Sequence, residues 1–363
     1  MTRVHNFSAG PAGLPETVIQ ELGPHLIEFS DAGAGIMEIS HRSKQFDEVI
    51  QSTEASLRRL LAIPDNYVVL FLQGGASLQF TMAPMNLSST LDPMGYILSG
   101  HWANRAHIEA TRLGQSAPIL WDGKSSNYQT LPGADTPELS RVGTRWVHYT
   151  SNNTIYGSQF HEPPSDSNQL VADMSSDIAS RPIDIERHAV IYAGAQKNLG
   201  PSGVTLVILS PDAIAASRAK SDLPSMLNYA LQAEKKSMFN TPNTFGIFAL
   251  SLVLNWIEAQ GGISEIAKRN ELKASKLYTE LDGSAFWKPQ IDSAARSLMN
   301  VTWRITDEAL ESTFVKEAQL QGLVGLKGHR SVGGLRASIY NACPTESVAA
   351  LISFMKSFEK RYG

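Results

Sequence analysis

From Phe46 to Leu61 apolar residues recur at helical spacing, with Phe46, Val49, Ile50, Leu57, Leu60 and Leu61 on one side and Pro64 as the stop. Tyr67–Leu72 is then a short run of β-formers, followed by Gly74-Gly75 and a second helical pattern from Ser77: strand, turn, helix. Tyr96–Leu98, Leu170–Ala172, Ala189–Tyr192 and Val204–Leu209 are further short apolar runs. Runs that are apolar throughout suit strands buried on both faces. They predict a mostly parallel sheet covered by helices, an α/β fold. Residues 244–258 predict a long amphipathic helix ending near Gly261-Gly262. Beyond it the pattern changes to a helix over 263–282, a strand at Leu298–Ile305, a helix over 307–321, a strand at Leu335–Ile339 and a helix over 345–360. That change sets a domain boundary near residue 258. It divides a large unit, 1–258, from a small C-terminal α+β unit, 259–363, with the N-terminal segment able to pack against the small one.

Length and composition narrow the class. A chain of 363 residues suits two domains and can bury a large core. Hydrophobic residues at 42% and charged residues at 18% describe a folded globular protein, and a net charge of −4 provides no bulk field for nucleic acid or anionic lipid. The single cysteine, Cys343, excludes an internal disulfide framework and a multi-cysteine metal site, and it fits a reducing compartment. The N-terminal residues lack an apolar leader core. Asn66–Leu91 and Ala189–Pro211 carry at most one charge, yet both are broken by Gly, Pro, Asn, Gln and Ser. A cytoplasmic protein is expected.

Candidate chemistry centres on Lys197, the one charged residue between His188 and Asp212. A lysine alone among small and apolar residues is desolvated, its pKa falls, and its amine becomes the nucleophile that a Schiff base requires. A surface turn lysine is the competing reading, but Ala-Gly-Ala-Gln before it and Asn-Leu-Gly-Pro-Ser-Gly after it let a flat ligand approach the backbone. Asp173 closes the Leu170–Ala172 run, and Lys197 follows 24 residues later, room for one helical crossover. Pyridoxal phosphate needs such a pair: a lysine for the imine and an acid to keep the pyridine nitrogen protonated. A helix cap is the alternative role for Asp173. Gln73-Gly74-Gly75-Ala76-Ser77 is either an ordinary turn or a phosphate site at a helix N-terminus, and its glycine spacing is not that of a dinucleotide fold. Trp102 stands in a polar turn, ready to stack on an aromatic ring or to fill a core. His41-Arg42, His329-Arg330 and Arg336 are basic groups in polar or Gly-rich surroundings that suit carboxylate and phosphate. The nine histidines show no metal-ligand spacing, and no metal is expected.

Taken in order, the motifs Asn6–Pro11, Met37–Arg42, Ser180–Asp184, Tyr192–Asn198, Met238–Pro242, Leu326–Arg330 and Arg336–Asn341 resemble the phosphoserine aminotransferases end to end. These are pyridoxal-phosphate enzymes of fold type I, class V. The resemblance implies a large domain with a mostly parallel seven-stranded sheet and a small C-terminal α+β domain. It implies that Lys197 carries the cofactor imine, Asp173 pairs with the ring nitrogen, Trp102 stacks on the ring and Thr154 bonds its phenolic oxygen. Ala76, Ser77 and Gln196 would hold the phosphate, joined by Asn240 and Thr241 of a second subunit in a homodimer. Arg336 would clamp the substrate α-carboxylate, and His41, Arg42, His329 and Arg330 would receive the distal phosphate or carboxylate. The implied reaction exchanges an amino group between L-glutamate and 3-phosphohydroxypyruvate, a step of serine biosynthesis with ping-pong kinetics.

The chain departs from one branch of that family, which has Arg in a Gly-Gly-Gly-Arg turn where this chain has Gly74-Gly75-Ala76-Ser77. Rival readings fit less well. A cysteine desulfurase needs a mobile thiol, and Cys343 precedes Pro344. An alanine–glyoxylate type enzyme has no use for the second basic cluster. A cofactor-free or dehydrogenase α/β protein would be colourless and indifferent to borohydride.

Overall fold

The computed structural model describes residues 3–89, 91–133, 136, 139, 143–165 and 169–363. The first half runs β1 (His5–Asn6), α1 (Glu16–His25), α2 (Lys44–Leu61), β2 (Val68–Leu72), α3 (Gly75–Leu87), β3 (Met94–Leu98), α4 (His101–Arg112), β4 (Ile119–Asp122), β5 (Trp146–Thr150) and β6 (Gln169–Asp173). There follow β7 (His188–Gly194), β8 (Thr205–Leu209), α5 (Pro211–Arg218), α6 (Tyr229–Glu234), α7 (Thr244–Ala259) and α8 (Gly262–Asp282). The chain closes with β9 (Trp287–Pro289), β10 (Asn300–Ile305), α9 (Glu311–Leu320), β11 (Leu323–Val324), β12 (Leu335–Ser338) and α10 (Thr345–Tyr362).

Among the described residues the main sheet has seven strands in the order β2-β8-β7-β6-β5-β3-β4. Only the pairings of β8, with β2 and with β7, are antiparallel; the other four are parallel. Because β8 opposes both neighbours, β2 runs in the same direction as β7, and its carboxyl end lies on the same edge as theirs. Both faces are covered. One carries Val147, Ala172 and Ile191 against Phe46, Leu57, Leu250 and Leu254 of α2 and α7; the other carries Leu70, Val171 and Val190 against Phe80 and Ala106 of α3 and α4. Each fully buried Val, Leu, Ile or Phe among them contributes roughly 1.5–3 kcal/mol relative to exposure.

Two element ends and one helix differ from the pattern reading. α2 is capped by Ser43, whose hydroxyl accepts from the Phe46 N–H, and it leaves through Ala62 at φ 52, so a left-handed residue ends the helix before Pro64 is reached. The run over 307–321 starts with a 3-10 turn, Glu308–Leu310, because the Asp307 carboxylate accepts from the Ala309 N–H; α9 follows. α7 is apolar on most sides rather than amphipathic, with Ile247, Leu250, Val253, Leu254 and Ile257 all buried. It is enclosed by α1, α2 and α8 as well as the sheet, which leaves only a narrow polar edge for solvent.

The C-terminal elements form a second core. β12, β10 and β9 make an antiparallel sheet in that order, and Trp287, Trp303, Phe314, Phe354 and Phe358 pack around it with Leu277 of α8. The first strand joins this core: β1 pairs in parallel with β11, and Phe7 belongs to the same cluster. Lys273 of α8 is buried and donates to the carbonyls of Ile339, Tyr340 and Cys343 at 2.9, 2.7 and 3.1 Å, tying α8 to the segment after β12. Among the described residues no single helix is long and apolar enough to cross a membrane.

Candidate active site

Open α/β sheets bind ligands beyond the carboxyl ends of their strands. Here β2, β3, β5, β6 and β7 end around one cavity of about 410 Å³, whose wall includes Ser77, Trp102, Thr154, Asp173, Lys197, and Arg336.

β2 delivers the Gly-rich turn. Gly74 caps α3 at φ 89, and a Cβ there would lie 2.5 Å from Leu78 Cδ2, so conformation and space both require glycine. α3 begins at Gly75, two residues before the helical pattern at Ser77 predicts. The N–H groups of Gly75, Ala76 and Ser77 are therefore first-turn donors facing outward from the helix. No acidic side chain occupies this first turn to neutralise it.

β6 delivers Asp173, buried and in register with Thr150 of β5 and Tyr192 of β7. Ser175 donates to Asp173 Oδ1 twice, from its backbone N–H at 3.0 Å and its hydroxyl at 2.6 Å. The same hydroxyl accepts from the Gly194 N–H at 3.2 Å, which couples this turn to the end of β7. Burial raises the Asp173 carboxyl above its ordinary range; the Ser175 bonds and the Lys197 charge oppose that rise.

β7 ends at Gly194, and Lys197 stands in the turn beyond it. The Ala195 N–H is held by Val204 O, and Gln196 O accepts from the Ala12 N–H at 2.9 Å. The Lys197 ammonium donates to Thr154 Oγ1 at 2.7 Å. Burial lowers its pKa to about 8; Asp173 acts against this and Arg336 with it. About one amine in ten is then neutral at pH 7, a large gain over an exposed lysine.

Arg336 comes from the other sheet, paired with Thr302 of β10. Its Nη1 donates to Thr154 O at 3.1 Å, and its Nε is buried with no hydrogen-bond partner. Thr302 Oγ1 donates to Tyr156 O at 2.6 Å, and a Cβ on Gly157, at φ 90, would meet that hydroxyl at 2.6 Å. The two sheets are thus brought together within two or three residues of Thr154.

The cavity brings together Ala76, Ser77, Trp102, Thr154, Asp173, Gln196, Lys197, His329 and Arg336. His41 and Arg42 lie in the turn that enters α2, outside this lining, and Arg330 is exposed beside His329. Asn240 and Thr241 are exposed before α7, and Thr241 O accepts from Gln73 of the same chain at 3.1 Å. Cys343 is not part of the cavity lining, and burial pushes its thiol up to about 11, the reverse of an activated nucleophile.

The lining also holds residues that the sequence reading assigned no role: Ala9, Gly10, Pro11, Thr150, Ser175 and Ser176. Thr150 Oγ1 is buried with no hydrogen-bond partner. Small residues and hydroxyls carry no spacing signal of their own. Only the strand end at Asp173 could have pointed to its register partner Thr150.

Residues 4–351 match the family described as "Aminotransferase class-V". A phosphoserine aminotransferase of Lysinibacillus sphaericus is 49% identical over 362 residues, covering 99% of each chain, and one of Geobacillus kaustophilus is 48% identical over the full length of both. The solved phosphoserine aminotransferase of Bacillus circulans subsp. alkalophilus superposes with a TM-score of 0.95 at 44% identity, over 99% of both chains. The pyridoxal-phosphate-bound enzyme of Trichomonas vaginalis does so at 0.90 and 33%, over 98% of this chain and all of that one. The chain belongs to the class-V aminotransferases and, within them, to the phosphoserine aminotransferases.

Proposed function

We propose that this protein uses pyridoxal 5′-phosphate to transfer an amino group reversibly between L-glutamate and 3-phosphohydroxypyruvate, giving O-phospho-L-serine and 2-oxoglutarate. That product makes it a step in serine biosynthesis. The observation that carries the reading is the meeting, in one cavity, of a partly neutral lysine, a buried carboxylate and an arginine from the second sheet. The donor set fits the cofactor. The buried Thr150 hydroxyl and Arg336 Nε lack partners, and no atom lies within 4 Å of where a Gly75 Cβ would stand, next to the outward N–H groups of α3. Dianionic phosphate suits that helix end, with Ser77 and Gln196 beside it.

When bound, pyridoxal phosphate supplies the electron sink that stabilises charge at the substrate Cα. The chain's own groups do the rest. Lys197 Nζ, which Thr154 positions, would hold the cofactor through its amine and, when free, would accept and return the proton at the substrate Cα. Asp173 keeps one oxygen committed to Ser175 and would hold a proton at the ring nitrogen with its carboxylate. Trp102 excludes water from one side. Arg336 orients the α-carboxylate shared by all four substrates, and the basic residues His41, Arg42, His329 and Arg330 receive the distal group. Because donor and acceptor share the site in turn, the kinetics are ping-pong.

His41-Arg42 and Asn240-Thr241 are read as serving a site shared in a homodimer. Met37 and Phe239, in the same two segments, are large apolar side chains left 59% and 40% exposed. The lone thiol supports reading the protein as cytoplasmic. The direct test supplies the purified protein with pyridoxal phosphate and L-glutamate and measures 2-oxoglutarate formed with 3-phosphohydroxypyruvate, pyruvate or glyoxylate as acceptor. Strong preference for the phosphorylated acid is expected; equal use of glyoxylate overturns the substrate assignment.

A further inference from the structure

We propose that His101, together with His329, forms a two-imidazole clamp for the phosphate end of the substrate and sets the preference for phosphorylated over carboxylate substrates. This rests on His329 being a receiver of the distal group. His101 is the first residue of α4, at a helix end whose first turn carries no acidic side chain. Its ring meets Trp102 edge-on at 5.0 Å and lies 6.0 Å from the ring of His329, tilted by 44°. His329 and Trp102 are in the cavity wall, so the His101 ring stands beside two residues of that wall.

The tautomer of His329 follows from its neighbour. The Ser331 backbone N–H donates to Nδ1 at 3.2 Å, with the Ser331 hydroxyl 2.7 Å from the same nitrogen. An N–H can only donate, so Nδ1 accepts and the neutral ring carries its proton on Nε2. The charged groups acting on the pair are all cationic: Arg105 of α4 on His101, and Arg330 and Arg336 on His329. Burial and these charges lower both imidazoles, so near neutral pH the free mouth carries two uncharged donors.

The distal carboxylate of glutamate brings one negative charge, whereas a phosphate monoester brings about two. The second draws protons onto the rings more strongly, and the cationic hydrogen bonds so added discriminate between the two. The arginines assigned to the same end stay charged with either substrate, so the difference falls to the imidazoles.

The test compares holoenzyme variants H101Q and H329Q with the parent. It measures kcat/KM for O-phospho-L-serine and for L-glutamate in their own half-reactions, and inhibition by inorganic phosphate. H101Q is expected to lower the preference for O-phospho-L-serine over L-glutamate about tenfold, and to weaken phosphate inhibition by a similar factor. H329Q should do the same. If H329Q has this effect and H101Q does not, the role of His101 is overturned while the reading of His329 stands. If neither alters the preference, both fall. An equal loss for both substrates in H101Q overturns the clamp and leaves His101 as packing for Trp102.

Discussion

The inner and outer halves of the cavity are built differently. At the inner half, Asp173, Ser175, Lys197 and Thr154 lie at strand ends of one sheet, and each is fixed by bonds of 2.6–3.0 Å to a neighbour in the same half. At the outer half, His329, Arg330 and Ser331 sit on a loop between β11 and β12, and His101 and Trp102 stand in the first turn of a helix. Their described contacts are ring against ring and a short loop turn. The inner half must serve every substrate identically, so rigidity costs it nothing. Under the proposed function the outer half accepts a carboxylate and a phosphate of different size and charge in turn. Preorganisation belongs where the chemistry is constant, and exposed, titratable groups belong where the ligand changes.

The largest expected effect breaks the inner half. Lys197→Ala removes the group that joins the cofactor and the group that moves the proton, so turnover should fall below detection while the circular dichroism spectrum and melting behaviour remain those of a folded chain. Measurable steady-state turnover in that variant would remove Lys197 from the mechanism. Arg336→Ala comes next and tests where the halves meet. The α-carboxylate is common to all substrates, so kcat/KM should drop by about one to two decades for 3-phosphohydroxypyruvate and for pyruvate alike, corresponding to a charge-assisted contact of roughly 1.5–3 kcal/mol. A loss confined to the phosphorylated acid would move Arg336 to the distal end.

The lysine sharpens the comparison through pH. With the free amine near a pKa of about 8, the neutral, nucleophilic form grows as pH rises to that value and saturates above it. Uptake of pyridoxal phosphate by the apoprotein, followed by absorbance, should therefore slow about tenfold per unit below pH 8 and level off above it. A flat profile from pH 6 to 9 would show that the amine is not the titrating group.

How much of this was legible in the sequence depended on local contrast. Lys197 was visible because it interrupts a run with no other charge, and Asp173 because it ends a buried strand one crossover earlier. Lys273 shows the limit of that signal. It too is buried with its pKa lowered to about 8, but although its spacing from Ile266 and Leu277 puts it on the inward face of α8, its neighbours Lys268, Arg269, Glu271 and Lys276 give it none of the charge contrast that singled out Lys197. Its three carbonyl acceptors come from residues 66 to 70 positions later, a relation that helical periodicity does not encode. The strands and most helices were legible because apolar periodicity is a local consequence of burial. The contact of Arg336 with Thr154, 182 residues apart, depends on how two sheets meet, and so does the escape of His41 and Arg42 from this chain's cavity.

The smallest expected effect concerns the Ser175 hydroxyl, which the loss of one oxygen removes. In Ser175→Ala the backbone N–H still donates to Asp173 Oδ1, but the hydroxyl bond of 2.6 Å is lost, and the Gly194 N–H loses its acceptor. A net hydrogen bond of roughly 1 kcal/mol corresponds to a few-fold fall in kcat, with KM for glutamate little changed because Ser175 holds Asp173 and not the substrate. The pH dependence gives the sharper sign. The hydroxyl favours the ionised carboxylate against burial, so its removal raises the Asp173 pKa further. Activity needs Asp173 ionised. The loss of kcat on acidification should therefore begin at a higher pH in the variant than in the parent, and Ser175→Thr, which keeps the hydroxyl, should restore the parent's limb. If the acid limb of Ser175→Ala coincides with the parent's while kcat falls, Asp173 is not the group whose ionisation limits the reaction, and Ser175 acts only through the packing of β6 against β7.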